Sequence, residues 1–118
     1  MSAEKREHPR VDIVDIVAEI QFLPEQEPVT LATTNISMGG AFVACDPTQF
    51  PTLKRGSHLQ LRILTAAEFG EDIVAKAQVR RIELGKLPGR TPGFGLRYFK
   101  IDMENTMRLS KLIAKSKS

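Results

Sequence analysis

Ile73-Val74-Ala75-Lys76-Ala77-Gln78-Val79-Arg80 is the stretch on which the fold class turns. Ile73, Ala75, Ala77 and Val79 alternate with Lys76, Gln78 and Arg80, a period of two that sends the two sets to opposite faces of a strand. Upstream, Leu59, Leu61 and Ile63 alternate with Gln60 and Arg62 in the same way. A longer strand is expected from Arg10 to Phe22, with Val14, Ile16, Ala18, Ile20 and Phe22 on one face and Asp15, Glu19 and Gln21 on the other. Val29 to Ile36 reads as a strand rich in Thr, Gly39-Gly40 breaks it from the next at Ala41 to Cys45, and Phe94, Leu96 and Tyr98 make the last, with Arg97 on the opposite face.

Between these runs stand turn signals: the proline-bounded Leu23 to Pro28, the irregular Asp46 to Pro51, Arg55-Gly56, and a loop from Gly85 to Gly93 holding three glycines and two prolines. The end of the chain changes period. Asp102 is an N-cap, and Met103, Met107, Leu109, Leu112 and Ile113 recur at helical spacings, so Met103 and Met107 are expected to pack on the strands. Lys111 and Lys115 complement the helix dipole in the last turns. Six short strands and one terminal helix indicate a mainly β protein, an antiparallel barrel or sandwich.

At 118 residues and 42% apolar content the chain is one globular domain. No apolar run approaches the length of a membrane span, and Met1 to Arg10 is polar without a signal-like core, so no membrane insertion and a cytoplasmic location are expected. Cys45 is the sole cysteine and reads as a small core residue. The net charge of +3 is concentrated toward the ends and suits a small anionic ligand better than a nucleic-acid duplex. His8 and His58 are the only histidines, without the spacing of a metal site, and the chain has no phosphate-loop motif. A Ser37–His8–Asp12 triad rests on residue type alone, so no enzyme and no metal are expected.

Two patches carry chemistry. Arg6-Glu-His-Pro-Arg10 lies in a segment, 1–10, with no helical or strand pattern of its own, read as a flexible arm on a single domain spanning 11–118. Its two guanidiniums, about 13 Å apart on an extended backbone, are planar forks that grip phosphate oxygens or a guanine O6/N7 edge and stack on a base. Asn35-Ile-Ser-Met-Gly-Gly40 offers the opposite polarity: an amide carbonyl to accept from guanine N–H groups, a rotatable hydroxyl on Ser37, and a glycine pair. One of Gly39 and Gly40 can take positive φ at the strand break, and either allows backbone to approach a ligand closely. Arg80, Arg81 and Arg97 are solvent-facing strand arginines that extend this surface if their strands lie beside Asn35.

In order and spacing the two patches resemble the RxxxR and [DN]xSxxG signature of PilZ domains, bacterial receptors for cyclic di-GMP. Gly95-Leu-Arg-Tyr-Phe99 is similar to the family's late strand, and the resemblance covers nearly the whole chain. It implies a six-stranded antiparallel β-barrel with a C-terminal α-helix over about residues 102–115, with cyclic di-GMP on the outer surface clasped by the arm. Arg6, Arg10, Asn35, Ser37 and Gly40 match the family's binding positions, with Lys5, Gly39 and Arg97 as additional contacts. Lys5 stands where many members have a further arginine, which leaves open one cyclic di-GMP or an intercalated pair per protomer. Asn35 replaces the commoner Asp.

The implied function is a single-domain cyclic di-GMP receptor or adaptor that orders its arm and signals to an effector protein, as a monomer or weak dimer. The alternative is an adaptor that works through protein contacts without nucleotide. Single-stranded nucleic-acid binding would want exposed aromatics, and six Phe with one Tyr and no Trp, mostly on core-like faces, do not supply them. No DNA or RNA partner is expected.

Overall fold

Hydrogen-bonded pairing turns the alternating segments into one sheet that closes on itself. The computed structural model describes residues 11–12, 17–21, 27–64 and 71–117. The strands are β1 (Val11–Asp12), β2 (Val17–Gln21), β3 (Val29–Ile36), β4 (Gly40–Ala44), β5 (His58–Leu64), β6 (Ile73–Glu83) and β7 (Gly93–Lys100), followed by α1 (Met103–Lys117). All pairs are antiparallel, in the order β3-β2-β5-β6-β7-β4, and β4 pairs back onto β3 to complete a six-stranded barrel. Closure leaves the barrel itself without an exposed strand edge.

The long first strand expected from sequence is represented by two pieces, β1 and β2, both paired to β3. Val17 comes six positions after Val11 but their partners Ile36 and Ala32 are only four positions apart, so the two pieces do not form one continuous ladder. Val14, Ile16, Phe22 and most of the Leu23–Pro28 turn lie outside the described residues, as does the whole 1–10 segment with Lys5, Arg6 and Arg10. Ala18 and Ile20 are fully buried, as their phase requires.

The interior is filled from every wall: Leu59, Leu61 and Ile63 from β5, Ile73, Ala77 and Val79 from β6, and Phe94 and Leu96 from β7 are all buried. Apart from a register shift between Lys76 and Ala77 against β7, two bulges interrupt the alternation. One falls between Thr33 and Asn35 on β3, the other between Val79 and Arg81 on β6. Without them, Asn35 and Arg81 would keep the phase of buried Thr33 and Val79 and point into the core. With them, Ile36 is the fully buried residue and Ile82 packs on the core, while Arg81 is exposed and Asn35 only half-buried.

Helix α1 lies against β6 and β1. Leu109, Leu112 and Ile113 are buried, and the Asn105 side-chain carbonyl accepts from the Val74 N–H at 2.9 Å. Met103 and Met107 do not pack on the strands: they are 79% and 56% exposed. The step of two residues from Met107 to Leu109 turns about 200° around the helix, which carries the methionines to the far side.

Asp102 is the N-cap. Its carboxylate accepts from the Asn105 N–H at 2.8 Å and from the Asn105 side-chain amide at 2.9 Å, and these bonds, the backbone one foremost, hold its pKa below the ordinary 3.8. A carboxyl whose pKa is lower folded than unfolded stabilises the fold above the unfolded value and loses that contribution as pH falls through the folded one. The α1 circular-dichroism signal should therefore weaken on acidification below pH 3.8, and Asp102→Asn, a cap that does not titrate, should flatten that part of the acid profile. An unchanged profile in the variant would assign the acid sensitivity elsewhere.

Candidate ligand-binding site

The β3–β4 connection is a turn held by one side chain. The Ser37 N–H donates to the Gly40 carbonyl at 2.8 Å, and the Ser37 hydroxyl accepts from the N–H groups of Gly39 at 3.1 Å and Gly40 at 3.2 Å while lying 3.3 Å from the Gly40 carbonyl, to which it donates. Ser37 is 2% exposed. Its hydroxyl is thus engaged inside the turn rather than turned outward. The Gly39 carbonyl accepts from the Tyr98 N–H at 3.0 Å, which ties the turn to β7.

Neither glycine of the turn takes the left-handed conformation. Positive φ occurs among the described glycines at Gly56, Gly85, Gly89 and Gly93, not at Gly39 or Gly40. Gly40 is required by packing: a Cβ built there would overlap the backbone carbonyl of Leu96 on β7. Close approach of β4 to β7 is what excludes a side chain at this position.

Strand register then assembles the outer face. Asp12 of β1 is opposite Asn35 of β3, Asn35 opposite Phe42 of β4, Phe42 opposite Gly95 of β7, and Gly95 opposite Arg81 of β6. In the next row Gly40 is opposite Arg97, which is opposite Gln78. Arg81 therefore does lie in line with Asn35, and Arg97 lies beside the glycine turn. Arg80 parts from them and lines a different cleft with Arg55 on the β5 side.

Phe42 is the residue that sequence reading missed. It alternates out of phase with the core residues Ala41 and Val43, yet is only 4% exposed. The Arg81 guanidinium lies over its ring, 5.4 Å from the centroid, a cation–π contact, and Gly95 leaves the space that Arg81 crosses. The one signal in the sequence was an aromatic on the outward phase two residues after Gly40. Thr34, Asn35, Phe42, Arg81, Glu83, Gly89, Arg90 and Thr91 line a cleft of about 150 Å³, where Arg90 is held by Glu83 at 3.4 Å. Cys45 lies just past β4 and is half-buried; burial, with the Asp46 charge second, pushes its thiol up to about 11, so it is no ready nucleophile.

An amide, two exposed strand arginines, a covered aromatic and turn backbone make a face that can hold a flat, anionic, hydrogen-bonding ligand. Lys5, Arg6 and Arg10 cannot be placed on it, because they lie outside the described residues. The described chain starts one residue after Arg10, at Val11, whose partner is Ile36.

No curated protein matches the chain. Among solved structures, it is similar to the inhibitor of motility MotI/DgrA of Bacillus subtilis, with 26% identity and a TM-score of 0.77 over 96% of this chain. It spans about half of that protein, 51% of its length. The PilZ domain of Escherichia coli YcgR, solved with c-di-GMP, shares the fold at a TM-score of 0.74 and 14% identity, over 96% of this chain and 92% of that one. The PilZ domain of CeSA from a cellulose-synthesizing bacterium does so at 0.64 and 20%, over 93% and 99%. The PilZ domain family model matches residues 4–115, from the arm through the barrel to the helix, and the chain belongs to the PilZ domain family.

Proposed function

We propose that this chain is a non-catalytic cyclic di-GMP receptor that passes its state to a partner protein. The observation that carries the reading is the pair of bulges that brings Asn35 and Arg81 out of the core phase and into one outer row with Phe42. That row and the neighbouring Gly40–Arg97 pair lie where β1 joins β3. Peptide connectivity keeps Arg10 within one Cα step, about 3.8 Å, of Val11, so its side chain has the reach to close over the row.

In this reading Arg6 and Arg10 grip phosphate or a guanine edge, Lys5 adds a charge, and Asn35 accepts from a guanine N–H. Arg97 and the Gly39–Gly40 backbone complete the cradle, and Ser37 acts by fixing the turn that presents it. That solved PilZ domains such as the one of YcgR carry c-di-GMP supports the choice of ligand. Segment 1–10 is the moving part, free without nucleotide and ordered with it. Because α1 packs on β1, ordering of the segment just before β1 reaches a second element that a partner can sense. No helix among the described residues is long and apolar enough to cross a membrane.

The test is calorimetric titration of the protein with cyclic di-GMP, with GTP as the control ligand. Saturable heat with the dinucleotide and none with GTP is the expected result, and the molar ratio decides between one ligand and an intercalated pair. Absence of heat up to about 1 mM ligand, at two temperatures and from folded protein, would leave the chain a nucleotide-independent adaptor.

A further inference from the structure

The barrel carries a second, cationic surface, which adjoins the Gly40–Arg97 row at Gln78. The outward positions of β5 and β6 hold His58, Gln60, Lys76, Gln78 and Arg80, and β7 adds Phe99 and Lys100. Register sets Gln60, Lys76 and Lys100 in one row. Arg55 joins from a turn that is tied to β6 by the Gly56 N–H donating to the Val79 carbonyl at 2.7 Å, and Arg55, Gln78 and Arg80 line a shallow cleft of about 420 Å³.

These cations form no ion pair among the described residues. Among the described residues, the arginines that meet carboxylates are Arg62 with Glu19 and Asp72, Arg90 with Glu83, and Arg108 with Glu71 and Glu104. Arg55, Lys76, Arg80 and Lys100 pair with no described carboxylate. Asp102 borders the row but is engaged with Asn105. Lys76 and Lys100 are even register partners, and like charges directly opposite each other destabilise a sheet. Amid them Phe99 is 49% exposed and stacks on His58, with ring centroids 4.5 Å apart at 25°.

We infer that this face of β5, β6 and β7 docks an acidic, extended segment of a partner protein. Four cations that pair with no described carboxylate, around one exposed aromatic, present the anchor and charged rim of a protein interface. Lys76 and Arg80 are four positions apart on the outward side of β6, and Gln78 between them offers an amide N–H to a carboxylate. A single-stranded nucleic acid would need several stacking platforms; Phe99 is the one aromatic among the described residues with large exposure, and His58 covers one face of it. The inference does not depend on nucleotide binding.

The test is fluorescence anisotropy with a labelled peptide of alternating glutamate and leucine. Its controls are the same peptide with glutamine for glutamate, and oligothymidine. Wild type should bind the acidic peptide saturably and at least about tenfold more tightly than the glutamine peptide. Lys76→Glu with Arg80→Glu should weaken binding at least about tenfold, while Lys86→Glu with Lys111→Glu, the same change in net charge elsewhere, should change it less than about threefold. All four positions are exposed, so the fold should survive, and unchanged cyclic di-GMP heat in the Lys76/Arg80 variant would separate this surface from the ligand site. Equal losses from the two double variants, equal binding of the glutamine peptide, tighter binding of oligothymidine, or no binding at all would each overturn the proposal. Failure of the nucleotide titration would not.

Discussion

Gly40→Ala should lower unfolding stability by about 3 kcal/mol in the absence of any ligand, as read by chemical denaturation. The added methyl group would overlap the Leu96 carbonyl, a backbone atom that cannot swing aside. Relief requires β4 to move off β7, and β4 is the strand whose pairing with both β3 and β7 closes the barrel. The same movement would strain the turn bonds that Ser37 makes to the N–H groups of Gly39 and Gly40. The variant should therefore lose ligand affinity as a consequence of lost structure. A variant that keeps wild-type stability to within about 1 kcal/mol yet no longer binds would show instead that Gly40 serves ligand approach directly.

Arg10→Ala should behave oppositely, with stability little changed and cyclic di-GMP affinity reduced roughly 30- to 150-fold, the equivalent of about 2–3 kcal/mol for one charge-assisted, stacked contact. Arg10 sits one residue before β1, and β1 pairs with the Asn35–Ile36 end of β3, so its guanidinium is the arm cation tethered nearest the row. Arg10→Lys should recover only part of the loss, because an ammonium supplies the charge but not the planar fork. Calorimetry of the three proteins in parallel checks this. Wild-type affinity in Arg10→Ala would move the phosphate grip to Arg6 or to the strand arginines Arg81 and Arg97.

The contrast between these variants reflects how much of the site could be read in advance. The strand faces were legible because alternation is local: Leu59, Leu61, Ile63, Ile73, Ala75, Ala77 and Val79 are all buried as their period requires. The helix was legible as an element and in its Leu109, Leu112 and Ile113 seam, but Met103 and Met107 were grouped with that seam by spacing alone when they stand on its far side. The internal contacts of Ser37 and Gly40 could not be read in advance. A hydroxyl and a bare backbone look alike in sequence whatever they meet, and only the positions of Gly39, Gly40 and Leu96 show the turn bonds and the close strand approach they serve.

By itself the sequence determined the strand-and-helix content, the segments that alternate, and the pair of patches that identifies the family, since each depends on residues near one another along the chain. The tertiary structure alone decided the closing of β4 onto β3 and β7, and the line of Asn35, Phe42, Gly95 and Arg81 across four strands. It also decided the separation of Arg80 from Arg81. The physical reason is that a bulge costs one residue locally but reverses the face of everything beyond it. Where it forms depends on partners dozens of residues away, which no local period records.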